Sequence, residues 1–311
     1  MHIALLVNAR IPVLGYGGTQ RVVTWLGRAL LEQGHKVSLI ASPGSSMPGA
    51  TVIEVGHRAL QAHDFDIAPF LSPGVDVVHS HRQLWVAPPV PMLWTLHGNP
   101  PPGTLLPDNT IFVSANHAKR YGHTAFVHNG LDLAEYRFRD TKGDYELFLG
   151  RLHSVKGYRW AIEAARRRER HLILAGGWRP NFRRGISFVG SVQGERKAEL
   201  LAGARCLWMP ALWDEPFGLT LIEALASGTP VIGTRRGSLP EIVSPEVGFL
   251  GDTVDELVEY AGRIGEISPA TCRAHVERHF THHSMAASYL ELYKAAGQPT
   301  RPRAYPPTPS T

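Results

Sequence analysis

Cysteine is almost missing from this chain. Its 311 residues carry two, Cys206 in an apolar run and Cys272 in a helical pattern. No disulfide framework can organise the fold, and a reducing, cytoplasmic setting is expected. Long apolar runs are missing as well. No stretch of 18 apolar residues occurs, and Met1-His2 leads straight into a strand, so neither a membrane span nor a signal peptide is expected. Excess charge is small: 32 Lys and Arg stand against 27 Asp and Glu, a formal +5, with a pI near 9.3. Such mild basicity suits a small acidic partner or an anionic lipid, and an Arg-rich composition explains it equally well. The basic stripe with interleaved aromatics that nucleic acid requires is not found. No internal repeat is visible beyond two similar halves. What is present, 43% hydrophobic residues over this length, is enough for two domains with separate cores.

The most informative stretch runs from Cys206 to Thr234, C-L-W-M-P-A-L-W-D-E-P-F-G-L-T-L-I-E-A-L-A-S-G-T-P-V-I-G-T. Cys206 to Met209 reads as a buried strand. A loop with Asp214, Glu215 and Pro216 follows. From Gly218 the apolar positions Leu221, Ile222 and Leu225 recur at helical spacing, until Gly228 and Pro230 end the pattern. Val231 and Ile232 open the next strand. This is a strand–helix–strand unit whose first loop lies at the carboxyl edge of a parallel sheet, where open α/β folds bind ligands. Glu215 stands just before the helix and Glu223 on its second turn. Two acids eight apart are common by chance; the whole string is specific.

The chain begins in the same way. Ile3 to Val7 is a strand, Thr19 to Gln33 a helix closed by Gly34, and Val37 to Ala41 a second strand. Gly15, Gly17 and Gly18 lie between strand and helix, where backbone N–H groups can approach a phosphate and the helix dipole favours an anion. The spacing is not G-x-G-x-x-G, and Ser42 and Pro43 stand where a dinucleotide site has an acid. From Pro43 to Gly74 the pattern weakens, with a short helix near Ala59 to His63. Strands follow at Val75 to His79, Met92 to Leu96 and Thr110 to Val113. After them come His79, Ser80, His81 and Arg82, then His97 and Gly98, then Ser114, Asn116 and His117. Each is an ordinary loop residue by itself. Placed at strand carboxyl ends, they are expected to converge on one cleft. His79 and His81 have no carboxylate ligand beside them, and no metal site is expected.

The second half opens with Glu146 to Leu149 as a strand and G-R-L-H-S-V-K-G from Gly150 to Gly157, a tight loop feeding a helix from Tyr158 to Arg168. Arg151 and Lys156 at a helix N-terminus read as a diphosphate clamp, the planar guanidinium gripping two oxygens at once. Strands at Leu172 to Ala175 and Ile186 to Val189 follow, joined through the basic loop Trp178 to Gly185, which reads as solvated, with membrane or acceptor contact as the lesser reading. Later come a helix from Glu195 to Leu201, a strand at Val247 to Leu250, helices near Val254 to Ile264 and Thr271 to Phe280, and a terminal helix from Tyr289 to Ala296.

Taken together these strings resemble the retaining glycosyltransferases of family 4. Glu215 to Glu223 is similar to their E-x7-E signature, Gly150 to Gly157 to their G-R-x(4)-K-G, Thr95 to Gly98 to their T-x-H-G, and Phe126 to Asp132 to their x-x-N-G-[IV]-D hinge segment. The resemblance covers nearly the whole chain and is strongest from Phe126 to Glu241. It implies the GT-B fold, an α/β architecture of two Rossmann-like domains facing each other across a cleft. The expected boundaries are 1–133 for an acceptor-side domain, 134–145 for a charged linker, 146–280 for a donor-side domain, 281–297 for a helix crossing back, and 298–311 for a disordered tail.

The function so implied is retaining transfer of a sugar from a nucleotide diphosphate sugar, UDP- or GDP-linked, to an acceptor hydroxyl on a small molecule, glycan or lipid-linked partner. A nucleotide-sugar epimerase of the same fold and a non-catalytic sugar-nucleotide-binding subunit are the alternatives. The resemblance makes Glu223 the ribose acceptor, Glu215 the partner of a sugar hydroxyl, and His97 a hydrogen-bond partner of the sugar or its developing charge. Arg151, Lys156 and the backbone of Gly17, Gly18, Phe217, Gly218, Leu219 and Thr220 hold the donor. No cofactor is expected. No metal is expected either: the D-x-D at Asp64 to Asp66 lies in the least patterned part of the first domain, and Arg151 and Lys156 in the second supply positive charge in a cation's place.

Overall fold

The computed structural model describes residues 1–13, 15, 17–101, 103–180 and 184–296. The expected tail, 298–311, lies outside them. The chain divides into two compact units, one of Met1–Gly130 with the segment from His282 onward, the other of Leu131–Thr281.

The first unit is built on six parallel strands in the order β3-β2-β1-β4-β5-β6. These are β1 (His2–Leu6), β2 (Lys36–Ala41), β3 (Thr51–Glu54), β4 (Val77–Ser80), β5 (Met92–Thr95) and β6 (Thr110–Ile111). All five residues of β1 are buried, which is why its sequence shows no alternation: helices cover both faces of such a sheet. Helix α1 (Gly18–Glu32) turns Val22, Val23, Leu26, Ala29 and Leu30 inward. It ends where Gly34 adopts φ +79°, with Gly34 N–H donating to Leu31 O and His35 N–H to Leu30 O at 3.0 Å each. That double bond pattern stops a helix, and the left-handed turn suits glycine. The weakly patterned stretch after Pro43 contributes Val55, Leu60, Phe65, Ile67 and Val75 to a core with Ala4, Leu6, Ile40 and Val78. It also supplies β3, which sequence periodicity misses because this edge strand has no buried residue. Short helices α2 (His57–Gln61) and α3 (Ala115–Arg120) complete this part.

The second unit repeats the plan. Its strands β7 (Glu146–Leu149), β8 (Leu172–Ala175), β9 (Ile186–Phe188), β10 (Leu207–Met209), β11 (Val231–Gly233) and β12 (Gly248–Leu250) are all parallel, in the order β12-β11-β10-β7-β8-β9. The helices are α4 (Tyr158–Arg167), α5 (Gly194–Gly203), α6 (Leu219–Ala226), α7 (Leu239–Ile242), α8 (Val254–Arg263) and α9 (Pro269–His279). A capping box between Thr253 and Glu256 starts α8. In both sheets the first and fourth strands are neighbours and the chain winds outward from them in opposite senses. Ligands in such folds bind outside the carboxyl ends of those two strands.

Two segments differ from expectation. Residues 134–145, read as a charged linker, belong to the second unit and are strapped to it. Arg137 pairs with Glu195 and Glu199, and Arg139 with Glu199. Lys142 Nζ donates to Ala202 O, Ser227 O and Thr229 Oγ1. Charge there marks side chains paired at the surface of the second unit. The terminal helix α10 spans His282–Ala296, within the expected 281–297, and it begins two turns before the Tyr289 start that the apolar pattern suggests. Its buried residues His282, Met285, Ala286, Tyr289, Leu290 and Tyr293 keep helical spacing, but the polar opening His-His-Ser conceals the first turn.

Candidate active site

Three loops at the carboxyl edge of the second sheet are knitted together. Gly157 takes φ +72°, and a Cβ there would lie 1.7 Å from Pro210 O, so only glycine lets the loop after β7 touch the end of β10. Leu212 N–H donates to Val155 O at 2.7 Å and Thr234 Oγ1 to Ala211 O at 2.6 Å. Behind Glu215 lies Gly237, at φ +59°, where a Cβ would come within 2.4 Å of the Glu215 nitrogen. Ser238 N–H donates to Glu215 O at 3.0 Å and Ser238 Oγ to Phe217 O at 2.7 Å. The loop that carries the first acid is thereby fixed from behind by the loop after β11.

On this frame the predicted residues Lys156 and Glu215 meet. Lys156 Nζ lies 2.5 Å from Glu215 Oε2, with side chains 15% and 11% exposed. The same oxygen accepts from Trp213 Nε1 at 2.9 Å, and the ammonium stands 4.7 Å from the centre of the Trp213 ring. Partial burial strengthens the pair relative to a surface ion pair, and the indole adds a donor to the carboxylate and a π-face to the cation. Arg151, five residues earlier on the same loop, is exposed. Phe217 and Gly218 are buried, and Leu219 and Thr220 open α6, whose first turn no side chain caps. Its first N–H groups therefore retain bonding capacity toward an anion.

Glu223 stands apart from that pair. Its side chain is fully buried, Oε1 accepting from Lys197 Nζ at 2.7 Å and from Tyr136 Oη at 2.9 Å. Neither Lys197 nor Tyr136 was foreseen, because they are 26 and 87 residues away in the chain. A lysine on a predicted helix before the E-x7-E string was the one available sign.

The first unit gathers histidines. His81 Nδ1 and His97 Nε2 are 2.9 Å apart, with ring centres at 5.2 Å. His79 lies 4.3 Å from the His81 ring and is held through Nδ1 by Tyr293 Oη and through Nε2 by Thr95 Oγ1, both at 2.7 Å. Thr95 Oγ1 and Tyr289 Oη are 2.9 Å apart. His117 Nε2 meets Gly98 O at 3.1 Å. The polar loop residues of three strands thus converge within this unit, with two tyrosines of α10 closing the group. Burial, assisted by the neighbouring imidazoles, drives the His79 pKa down to about 3 and that of His97 to about 4. It takes His81 well below its ordinary value. All three are neutral near pH 7.

Residues 144–267 match the family of glycosyl transferases, group 1. The chain is 26% identical to the phosphatidyl-myo-inositol mannosyltransferase of Propionibacterium freudenreichii subsp. shermanii over 301 residues, covering 76% of this chain and 78% of that one. It resembles the crystal structure of AviGT4, a glycosyltransferase involved in avilamycin A biosynthesis, with a TM-score of 0.80 and 29% identity over 95% of this chain and 98% of that one. The chain is a glycosyltransferase of the GT4 type. A third relative is the GDP-mannose-dependent alpha-(1-6)-phosphatidylinositol dimannoside mannosyltransferase of Mycobacterium tuberculosis, 33% identical over 121 residues. That match spans 37% of this chain and only about a third, 32%, of the relative.

Several other features of the glycosyltransferase now have plain structural roles. Gly17 caps α1 in extended backbone and is crowded, a Cβ falling 2.8 Å from Val13 Cγ2; Gly18 is the first residue of the helix. Asp66 Oδ1 accepts from Ala68 N–H at 2.9 Å, an Asx turn that starts the next bend, and Asp64 is exposed. Among the described residues one group has metal-ligand spacing, Glu32 with His282 and His283. Glu32 Oε2 lies 3.3 and 3.4 Å from their Nε2 atoms. A cation on His282 Nε2 would move the ring proton to Nδ1, which is buried without a hydrogen-bond partner. Two imidazoles sharing a carboxylate fit the cluster better. No helix of the described residues is long and apolar enough to cross a membrane.

Proposed function

We propose that this glycosyltransferase takes a sugar from a nucleotide diphosphate donor and passes it to an acceptor hydroxyl with retention, without a metal ion. The observation that carries this reading is the knitted set of loops after β7, β10 and β11. It places Lys156 against Glu215 beside the uncapped start of α6, with Arg151 on the same loop. Departure of a diphosphate develops negative charge, and fixed cations with backbone N–H groups stabilise it best when they need not reorganise. Arg151 and Lys156 neutralise the diphosphate, and the N–H groups of Phe217, Gly218, Leu219 and Thr220 bond its oxygens. Glu215, aimed by Lys156 and Trp213, accepts from a sugar hydroxyl. Glu223 accepts from the ribose, with Lys197 and Tyr136 setting the position of its carboxylate. Gly17 and Gly18 offer backbone at the start of α1, and His97 bonds the sugar. The leaving oxygen serves as the base for the incoming hydroxyl.

The relatives' names favour a mannosyl donor and an inositol-lipid acceptor, since GDP-mannose and phosphatidylinositol are what those names print. The measurement is release of nucleotide diphosphate from a panel of GDP- and UDP-sugars, with and without phosphatidylinositol and with EDTA in excess. Release from GDP-mannose that rises with the lipid is the expected result. No release from any donor sinks the reading; abolition by EDTA with recovery on magnesium or manganese sinks the metal-free part alone.

A further inference from the structure

His97 is held by His81, another of the strand-end residues expected to converge, and the bond between them has a chemical direction. His81 Nδ1 and His97 Nε2 lie 2.9 Å apart, so one nitrogen carries a proton and the other a lone pair. Both rings are neutral near pH 7, because burial opposes a charge on either. Two arrangements remain. If His97 donates from Nε2, His81 accepts at Nδ1 and its own proton sits on Nε2. If His81 donates from Nδ1, its Nε2 is bare.

The deciding atom is His81 Nε2, which is buried and has no hydrogen-bond partner. A buried N–H without an acceptor is rarer in native structures than an under-used lone pair. We infer that His81 is a positioning residue: it donates Nδ1–H to His97 Nε2 and holds His97 in the tautomer whose proton is on Nδ1. His97 then meets a ligand as a hydrogen-bond donor and has no free lone pair with which to take a proton.

The surroundings make His81 a fixed support. It is 7% exposed and lies between the rings of His79 and His97. His79 is clamped by Tyr293 and Thr95, and Thr95 by Tyr289. The loop beyond His97 is tied down through His117 and Gly98 O. His97 itself is only partly buried, so the supported ring is the one that reaches a ligand. A donor at Nδ1 suits a sugar hydroxyl or another oxygen lone pair. The inference rests on the proposed function for its catalytic meaning, in which the leaving diphosphate acts as base. The tautomer rests on geometry alone.

The test uses the full chain with 15N-labelled histidine and long-range proton–nitrogen correlations at pH 7.5. In the native protein His97 should show a protonated Nδ1 and a bare Nε2. His81→Phe keeps a ring and removes the donor, and His97 should change to the Nε2–H form that free imidazole prefers. His81→Asn returns an N–H donor near the Nδ1 position and should restore the native tautomer, which a general loss of packing would not do. Turnover of the donor should fall about tenfold in His81→Phe, less than for a donor that touches the transition state directly, and recover in His81→Asn. An Nε2–H form of His97 in the native protein overturns the inference, and so does an unchanged tautomer in His81→Phe. A switched tautomer with unchanged turnover overturns the positioning role and leaves the proposed function standing. No turnover in the native protein, with the tautomers as expected, sinks the proposed function and not the assignment.

Discussion

The two units share one topology and spend their polar residues in opposite ways. In the first, an uncharged network lies at the ends of β4 and β5, with His79, His81, His97, Thr95, Tyr289 and Tyr293 joined by hydrogen bonds. In the second, the ends of β7 and β10 hold ion pairs, Lys156 with Glu215 and, nearby on α6, Lys197 with Glu223. The contrast follows from chemistry. A neutral network has tautomers and direction, and it orients donors without attracting counter-ions. Ion pairs create a field, which is what a departing diphosphate needs. One scaffold thus carries a unit suited to orienting hydroxyls and a unit suited to charge.

The comparison can be broken most sharply at Lys156. Lys156→Ala removes the cation and leaves Glu215 against Trp213. Turnover should drop about 100- to 1,000-fold, the size expected for a preorganised electrostatic contact. Steady-state rates with a saturating donor decide it; a fall of less than tenfold would place the field elsewhere.

Acid should separate the units next. His79 and His97 have folded pKa values of about 3 and about 4, against about 6.5 when unfolded. Between pH 6.5 and 4 the unfolded chain therefore binds more protons, so stability falls as pH falls, by at most about 1.4 kcal/mol per pH unit for each such histidine. Above pH 6.5 this contribution is fully present. Hydrogen exchange read by mass spectrometry should show β1 and β4 losing protection before β7 and β10 on going from pH 6.5 to 4.5. Simultaneous loss in both sheets would count against the histidine network as the cause.

Within the first unit, Tyr293→Phe removes one hydroxyl and strands His79 Nδ1. The expected cost is about 1–3 kcal/mol, the penalty for leaving a buried polar atom unmade, seen as a lower urea midpoint with an unchanged slope. A change in slope would mean that the variant alters the compactness of a state instead. The smallest effect belongs to Asp64→Ala combined with Asp66→Ala. Only the Asx turn at Ala68 is lost, so turnover in EDTA should match the native protein, with stability lower by about 0.5–1 kcal/mol. A dead, metal-responsive double variant would move charge neutralisation into the first unit and reverse the contrast drawn above.

Much of this was legible in the chain. The runs at Ile3 to Val7, Glu146 to Leu149 and Cys206 to Met209 lie within a residue or two of β1, β7 and β10, because a buried parallel strand needs continuous apolar residues. Gly34 ended α1, and Gly218 with Gly228 bracketed α6, because left-handed turns select glycine. Elements with little buried surface were harder: β3 is an edge strand, and α3 and α7 run for six and four residues, too short for a period to show.

What the sequence by itself determined is therefore local. It decided which segments become strands and helices, which loops stand at strand carboxyl ends, and which loops carry Lys156, Glu215, His81 and His97. Only the tertiary structure decided the partners. Lys156 reaches Glu215 across 59 residues and Tyr136 reaches Glu223 across 87, while His79 meets Tyr293 across 214. No periodicity spans such gaps. Within each unit, sheet order brings those loops to one edge of its own sheet and, in the first, α10 back onto β5, and burial there decides which groups stay neutral and which must pair.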